Sequence, residues 1–204
     1  MTSLESTEEP AALRVLEIVG NAIVGGMERH VQMLVEGMRG QGLAISALCP
    51  FESRFTSTLR ALGCPVHIAM LEEAMEWRSL LAATEIIRRQ RVDVVHTHLF
   101  NATLLGSLAG SLLGVPVAIT IHGMHIVPEE MALARLTGSH LITVCTTAYL
   151  MGLSMGMPED QIRMSGPIRL KQVQDAQQRV VNVVRRLDES EEIVVQRGGD
   201  DALV

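Results

Sequence analysis

Histidines placed near one another are the chemically most versatile residues of this sequence. His96 and His98 alternate with Thr97 in the segment VDVVHTH, so an extended chain would place both imidazoles on one side. His122 ends another apolar segment, and Gly123 after it permits a sharp turn. Imidazole can contact a polar ligand, pack in a core or ligate a metal. Polar substrate contacts are favoured, with packing as the alternative, because no regular spacing of further ligands indicates a metal site.

A glycine-containing loop is the second segment that indicates chemistry. In GNAIVGG, Gly25 and Gly26 directly precede an amphipathic helix pattern, and glycines at such a place let a ligand approach backbone N–H groups closely. The segment is not a P-loop, since Gly26-Met27 stands where that motif requires Lys followed by Ser or Thr. It also lacks the dinucleotide fingerprint G-x-G-x-x-G. A phosphate site with Glu28 beside it and an ordinary tight turn both remain open.

The elements that must position these residues alternate along the chain between strands and helices. Apolar runs predict strands at 13–19, 43–49, 66–70, 92–98, 115–121 and 140–146. Helical spacing predicts helices at 27–38, 53–62, 77–90, 101–113, 129–137 and 148–155. This alternation predicts an α/β fold, a doubly wound, mostly parallel and Rossmann-like sheet with helices on both faces. The carboxyl ends of parallel strands share one edge, so the polar segments are expected to converge on one cleft.

One uncharged stretch, Leu99–Ile121, is long enough to cross a membrane. Its glycines also have the small-xxx-small spacing found in packed membrane helices. Gly114 and the proline two residues later indicate a helix end followed by a strand, and Asn101 is expected to cap that helix. We therefore predict a buried helix and a buried strand, with a membrane span or a membrane-surface element as the alternatives.

The composition excludes several classes of protein. Hydrophobic residues make up 48% of the chain and aromatic residues only 2%, which suits a sheet covered by helices. The net charge of -6 and the lack of a basic stripe argue against nucleic acid as a partner. Three widely spaced cysteines and an acidic N-terminus without an apolar signal segment predict a reducing, cytoplasmic location.

Three segments resemble, in order, parts of the N-terminal, acceptor-side domain of family 4-type retaining glycosyltransferases with the glycosyltransferase-B fold. They are VGNAIVGGMERHVQMLVEGM, RVDVVHTHLFNATLLGSLAGSLLGVPVAITIHG and HLITVCTTAYLMGLSMGMPEDQIRMSGPI. The resemblance implies hexose transfer with retention from a nucleotide-sugar to a glycan, lipid or small-molecule acceptor. The nucleotide-sugar is then a co-substrate, and neither a cofactor nor a metal is expected.

The resemblance also implies roles for the residues at the matching positions. Gly25 and Gly26 would lie against the donor phosphates, and His122 would be the catalytic residue that reaches the donor sugar. The other predicted members of the cleft are His96, His98 and Asn101 on the acceptor side, with Glu28, Gly123 and His125 elsewhere.

The chain departs from the family pattern near its C-terminus. Ile168-Arg169 follows Gly166-Pro167 where the family has Asn-Gly. We therefore expect that the donor-binding domain of similar size is missing. We predict a flexible acidic N-terminus (1–12), the acceptor-side domain (13–168), an amphipathic docking helix (169–188) and a weakly ordered tail (189–204). The partners expected are the nucleotide-sugar, the acceptor and a donor-domain protein or a second copy, with at most peripheral membrane contact. The alternative is a non-catalytic binding or regulatory module that keeps the fold.

Overall fold

The apolar runs form the strands of one parallel sheet in a computed structural model, which describes residues 13–71 and 77–165. The strands are β1 (Arg14–Val19), β2 (Ala44–Cys49), β3 (Val66–Ile68), β4 (Val94–His98), β5 (Val117–Ile121), β6 (His140–Thr143) and β7 (Ile162–Met164). They lie in the order β3-β2-β1-β4-β5-β6-β7, and each neighbouring pair is parallel. The predicted doubly wound α/β fold is confirmed.

The helices of the described residues fall where helical spacing predicts them. They are α1 (Gly26–Gly40), α2 (Arg54–Ala61), α3 (Trp77–Gln90), α4 (Phe100–Leu113), α5 (Pro128–Thr137) and α6 (Thr146–Ser154). A 3-10 turn (Glu159–Gln161) precedes β7. The sequence did not predict β7, because Arg163 interrupts its three residues and no apolar run results. The last predicted strand ends earlier than expected, since Cys145 is already the N-cap residue of α6.

Each face of the sheet packs against its own set of helices. Val15 and Val19 of β1 lie in a core that includes residues of α1 and α2. Leu16 and Ile18, which alternate with them, lie in a second core with residues of α3, α4, α5 and α6. The side chain of Glu17 therefore belongs to the face that α1 covers.

The strand order reverses between β1 and β4, and this reversal positions the candidate site. From β1 the chain winds outward through β2 and β3, and from β4 it winds in the other direction through β5, β6 and β7. The loops that follow β1 and β4 therefore diverge and leave a crevice at the carboxyl edge of the sheet. Ligands of doubly wound folds bind at such a switch point.

The uncharged stretch 99–121 contains two separate elements, α4 and β5. Gly114 ends α4 in the left-handed conformation with φ of 67°, and the chain then enters the sheet. The predicted buried helix and strand are confirmed. Within residues 13–71 and 77–165, every helix is too short or too polar to cross a bilayer. The predicted N-terminal segment (1–12), docking helix (169–188) and tail (189–204) lie outside the described residues.

Candidate functional site

A buried carboxylate is the centre of a polar cluster beneath the crevice. Glu17 of β1 pairs in register with His96 of the neighbouring strand β4, and both side chains are fully buried. One carboxylate oxygen of Glu17 lies 3.0 Å from Nδ1 of His96 and 2.7 Å from Nε2 of His98. The predicted placement of both histidines on one side of β4 is confirmed.

The cluster continues from β4 to β5. Nε2 of His96 lies 2.7 Å from the hydroxyl of Thr120, and Nδ1 of His98 lies 2.8 Å from Nε2 of His122. His98 is fully buried, whereas His122 is partly exposed at the end of β5. A chain of hydrogen bonds thus runs from Glu17 in the core to His122 at the edge of the sheet.

Helix α1 contributes a fourth imidazole, that of His30. Its ring centroid lies 5.1 Å from that of His122 and 6.3 Å from that of His98, in edge-to-face arrangements. Its Nε2 is buried, and no residue of the described part of the chain pairs with it. Because His30 is one helical turn after Gly26, it brings the N-terminal half of α1 against His122.

Neither Glu17 nor His30 was predicted as a site residue, although both left a signal in the sequence. Glu17 is a carboxylate in the middle of an apolar strand, where an ionised group is costly unless it is paired. His30 falls at helical spacing on the same face as Met27, Val31 and Leu34, which are residues of the apolar face of α1.

Three imidazoles of the cluster, those of His30, His98 and His122, have lowered pKa values beside the carboxylate of Glu17. Burial lowers the pKa of His98 to about 4, that of His30 to about 3 and that of His122 to about 2, and the neighbouring imidazoles add to each decrease. Burial alone would raise the pKa of Glu17, but attraction to His96 and hydrogen bonds from His96 and His98 outweigh it. The net result is a pKa for Glu17 below its ordinary value.

The diglycine loop presents the start of α1 to solvent. Gly25 is the N-cap residue, no side chain caps the helix, and both Gly25 and Gly26 are exposed. The first backbone N–H groups of a helix have no partner within that helix, and they favour an anion. Glu28 follows in the first turn as a buried residue, and its Oε1 has no hydrogen-bond partner among the described residues.

Asn101 joins the loops of the crevice, and its predicted role as the cap of α4 is wrong. The N-cap residue is Leu99, which has a φ of 75°, and Asn101 lies in the first turn. Its side-chain amide donates to the carbonyl oxygens of Gly20 and Leu71, each at 3.0 Å. A Cβ atom on Gly20 would overlap Oδ1 of Asn101, so glycine is required where the two loops meet.

The structure brings some of the predicted site residues together and separates others. His96, His98 and His122 share one network, and His30 of α1 contacts it. His96 and His98 are fully buried, and their ring nitrogens are hydrogen-bonded to protein groups. Their predicted contacts with the sugar acceptor therefore stay a prediction. Gly123 and His125 lie exposed in the loop between β5 and α5, and within residues 13–71 and 77–165 neither forms a hydrogen bond with the network.

One group of side chains has donor atoms suited to a metal ion. Glu17, His96 and His98 each offer a ligand atom, and these atoms lie within 4.8 Å of one another. Two imidazoles and a carboxylate form a ligand set that zinc accepts. The short separations to Glu17 are also those of hydrogen bonds.

Two family models match different parts of the chain. The first describes a glycosyl transferase 4-like domain and matches residues 25–150. The second describes a FliG C-terminal domain and matches residues 154–195. The described part of the second match contains β7, which pairs with β6 in the common sheet.

Two curated proteins show the same division. The UDP-Gal:alpha-D-GlcNAc-diphosphoundecaprenol alpha-1,3-galactosyltransferase of Escherichia coli is 24% identical over 106 residues, which are 50% of this chain and 27% of that protein. The flagellar motor switch protein FliG of Thermotoga maritima is 48% identical over 46 residues, which are 22% of this chain and 14% of that protein. The chain therefore spans a small part of the length of either relative.

Solved structures share the fold at low sequence identity. A glycosyltransferase from Rickettsia africae has a TM-score of 0.64 and 18% identity, with 76% of this chain and 43% of that chain covered. Anabaena Alr3699/HepE in complex with UDP and glucose has a TM-score of 0.60 and 13% identity, with 74% and 44% covered. At such identities the likeness establishes the fold alone.

Proposed function

Because the chain belongs to the glycosyl transferase 4-like domain family, we propose that it takes part in sugar transfer from a nucleotide-sugar to a glycan, lipid or small-molecule acceptor. The family match covers more than half of the chain. The resemblance to the N-terminal domain of family 4-type enzymes with the glycosyltransferase-B fold is confirmed, and the chain is a glycosyltransferase by resemblance. The transfer itself, its acceptor and its location in the cytoplasm are parts of the proposal.

One observation supports this proposal above the others: the helix whose start is uncapped also carries His30, whose ring contacts that of His122. Gly25 and Gly26 leave backbone N–H groups exposed, and His30 joins that helix to His122. In the proposal the N–H groups hold the donor phosphates and stabilise the charge that develops on the leaving diphosphate. His122 contacts the donor sugar, and Glu28 supports the first turn of α1.

The proposal assigns the rest of the nucleotide pocket to a donor-binding domain outside the described residues. The match covers 43% of the glycosyltransferase from Rickettsia africae and 44% of Anabaena Alr3699/HepE, whose structure is a complex with UDP and glucose. Such a site would gain most of its rate of sugar transfer because the two domains hold donor and acceptor in position within a closed cleft. A partner protein that carries such a domain is its proposed source.

The test uses the full, tagged chain recovered from its native cells together with whatever binds it. The recovered material is identified by mass analysis and assayed for transfer from labelled UDP-galactose or UDP-glucose to a glycan and lipid extract of the same cells. Transfer that requires both the chain and a partner with a nucleotide-binding domain supports the proposal. Turnover at ordinary enzyme rates by the chain alone would contradict the incomplete site.

A charge placed at Gly26 tests the phosphate site within the same assay. No atom lies within 4 Å of a Cβ at Gly26, and aspartate suits the start of a helix, so Gly26→Asp should fold normally while repelling a diphosphate. Gly40→Asp is the matched control, since it adds the same charge at an equally open position at the other end of α1. Equal transfer by both variants would remove the phosphate site from the proposal.

A second candidate function is favoured by the match of residues 154–195 to the FliG C-terminal domain. In this alternative the chain is a non-catalytic adaptor, and its C-terminal segment associates with components of the flagellar motor, as the names of its FliG relatives suggest. The same capture experiment separates the two functions. Recovery of flagellar motor components without any nucleotide-binding domain, and without transfer, would favour the adaptor.

A further inference from the structure

The carboxylate of Glu17 has no part in the proposed transfer, although it is the most unusual group in the core. The residue is fully buried, and its oxygens have two imidazole partners, at 2.7 Å for His98 and 3.0 Å for His96. An ionised carboxylate in the interior costs several kcal/mol unless its partners are well placed. An apolar residue in this strand would avoid that cost, so the carboxylate is expected to have a specific role.

The ionised carboxylate determines where the protons of the network lie. A carboxylate only accepts hydrogen bonds, so the nitrogen of His98 that faces Glu17, Nε2, must carry a proton. In a neutral imidazole the other nitrogen, Nδ1, is then an acceptor. Nδ1 of His98 lies 2.8 Å from Nε2 of His122, so the latter must donate. The proton of His122 is thereby held on Nε2.

We propose that Glu17 is a positioning residue that acts through His98 to hold His122 in one tautomer and one ring orientation. Nε2 of His122 donates inward, and Nδ1 is left without a proton as an acceptor. In residues 13–71 and 77–165, no hydrogen bond is found to that nitrogen. On the proposed function, which this inference deepens, Nδ1 accepts a hydrogen bond from a sugar hydroxyl. This arrangement follows the general rule that a hydrogen bond to one ring nitrogen of a functional imidazole fixes its tautomer and orientation.

The distances favour shared protons over a metal ion between the same groups. Ligand atoms of a tetrahedral zinc site with bonds of about 2.0–2.1 Å stand about 3.3 Å apart. The two nitrogens lie 2.7 Å and 3.0 Å from the same oxygen of Glu17, which are hydrogen-bond separations. Stoichiometric zinc in the purified full chain would therefore overturn the inference.

The first test observes the tautomer directly and does not depend on enzyme activity. The full chain is labelled with 15N in its histidines, and long-range 1H–15N spectra at pH 7.5 report which ring nitrogen of each histidine carries the proton. The signals of His122 are assigned by their loss in His122→Gln. We expect Nε2 of His122 to be protonated and Nδ1 to be unprotonated. A protonated Nδ1 in the wild-type chain would overturn the inference without the need for any further variant.

The second test changes Glu17 itself. In Glu17→Gln the amide can donate to Nε2 of His98, which reverses the tautomer of His98 and removes the acceptor for His122. We expect the proton of His122 to move from Nε2 to Nδ1 in this variant, because Nδ1 of His98 would then donate to Nε2 of His122. Glu130→Gln is the matched control, because it removes a buried carboxylate outside the network. A tautomer of His122 that is unchanged in a folded Glu17→Gln chain would contradict the proposal.

The activity of the reconstituted enzyme supplies the link to function. Glu17→Gln is expected to lower kcat about tenfold, the effect of losing one hydrogen bond, while the KM for the donor changes less. Glu130→Gln should not affect kcat. If the tautomer of His122 changes as expected but no transfer is ever detected, the positioning inference holds and the proposed function fails. If transfer is normal in Glu17→Gln, the positioning role fails and the proposed function holds.

Discussion

Acid should destabilise this protein well above the pH at which carboxylates titrate, because three imidazoles of the cluster are held neutral. In the folded chain the pKa is about 4 for His98, about 3 for His30 and about 2 for His122. In the unfolded chain each titrates near about 6.5. Between these values the unfolded state binds protons that the folded state excludes, so stability is present above about pH 6.5 and is lost as the pH falls. The lowered pKa of Glu17 acts in the same direction at lower pH.

The expected loss can be worked out from these values. Lowering the pH from 7.0 to 5.5 should cost about 1.3 kcal/mol of unfolding free energy for each of the three histidines, or about 4 kcal/mol together. That is a large share of the roughly 5–15 kcal/mol by which domains are stable. His67 and His140 add a smaller loss, because burial also lowers their pKa values. The contribution of the cluster is therefore best measured as a difference between variants.

Urea unfolding followed by far-ultraviolet circular dichroism at pH 7.0 and 5.5 measures this loss. In His30→Gln the loss of unfolding free energy between pH 7.0 and 5.5 should be smaller by about 1.3 kcal/mol. The reason is that glutamine does not take up a proton when the chain unfolds. His125→Gln is the control, because that imidazole is exposed and outside the cluster. The reasoning would be refuted if the unfolding free energy fell by the same amount in His30→Gln as in the wild-type chain. It would also be refuted if the unfolding free energy of the wild-type chain did not fall between the two pH values.

Three further changes test individual contacts in the fold. Gly20→Ala should lower the unfolding free energy by about 1–3 kcal/mol through overlap with the amide described above, whereas Gly26→Ala, with no atom within 4 Å, should not. Thermal unfolding of the pair distinguishes them, and equal midpoints would contradict the close approach. Ser53→Ala removes the hydroxyl that accepts from two backbone N–H groups of α2, and should cost about 1 kcal/mol in urea unfolding. Asp93→Asn, which weakens an ion pair and a hydrogen bond to the first residue of β1, should cost about 1 kcal/mol and become less damaging at high salt.

The sequence by itself determined the six helices, six of the seven strands of the described residues and the edge of the sheet at which the polar loops meet. Local periodicity placed α3 at 77–90 without error, and it separated α4 from β5 despite the lack of charge in 99–121. These features depend on residues close together in the chain, so their pattern is visible in one dimension. The alternation of strands and helices then implied a parallel sheet, and the parallel sheet implied that polar loops share an edge.

Only the tertiary structure decided which of these polar groups contact one another. Glu17 and His98 are 81 positions apart, and they meet because β1 pairs with β4 in one particular register. The sequence pattern of β1 marks Glu17 as unusual but does not identify its partners. Asn101 likewise looked like a helix cap, yet the loops beside it offered carbonyl oxygens that bound its amide instead. Hydrogen bonds are directional and short, so their partners are settled by strand order, register and packing, which no local pattern encodes.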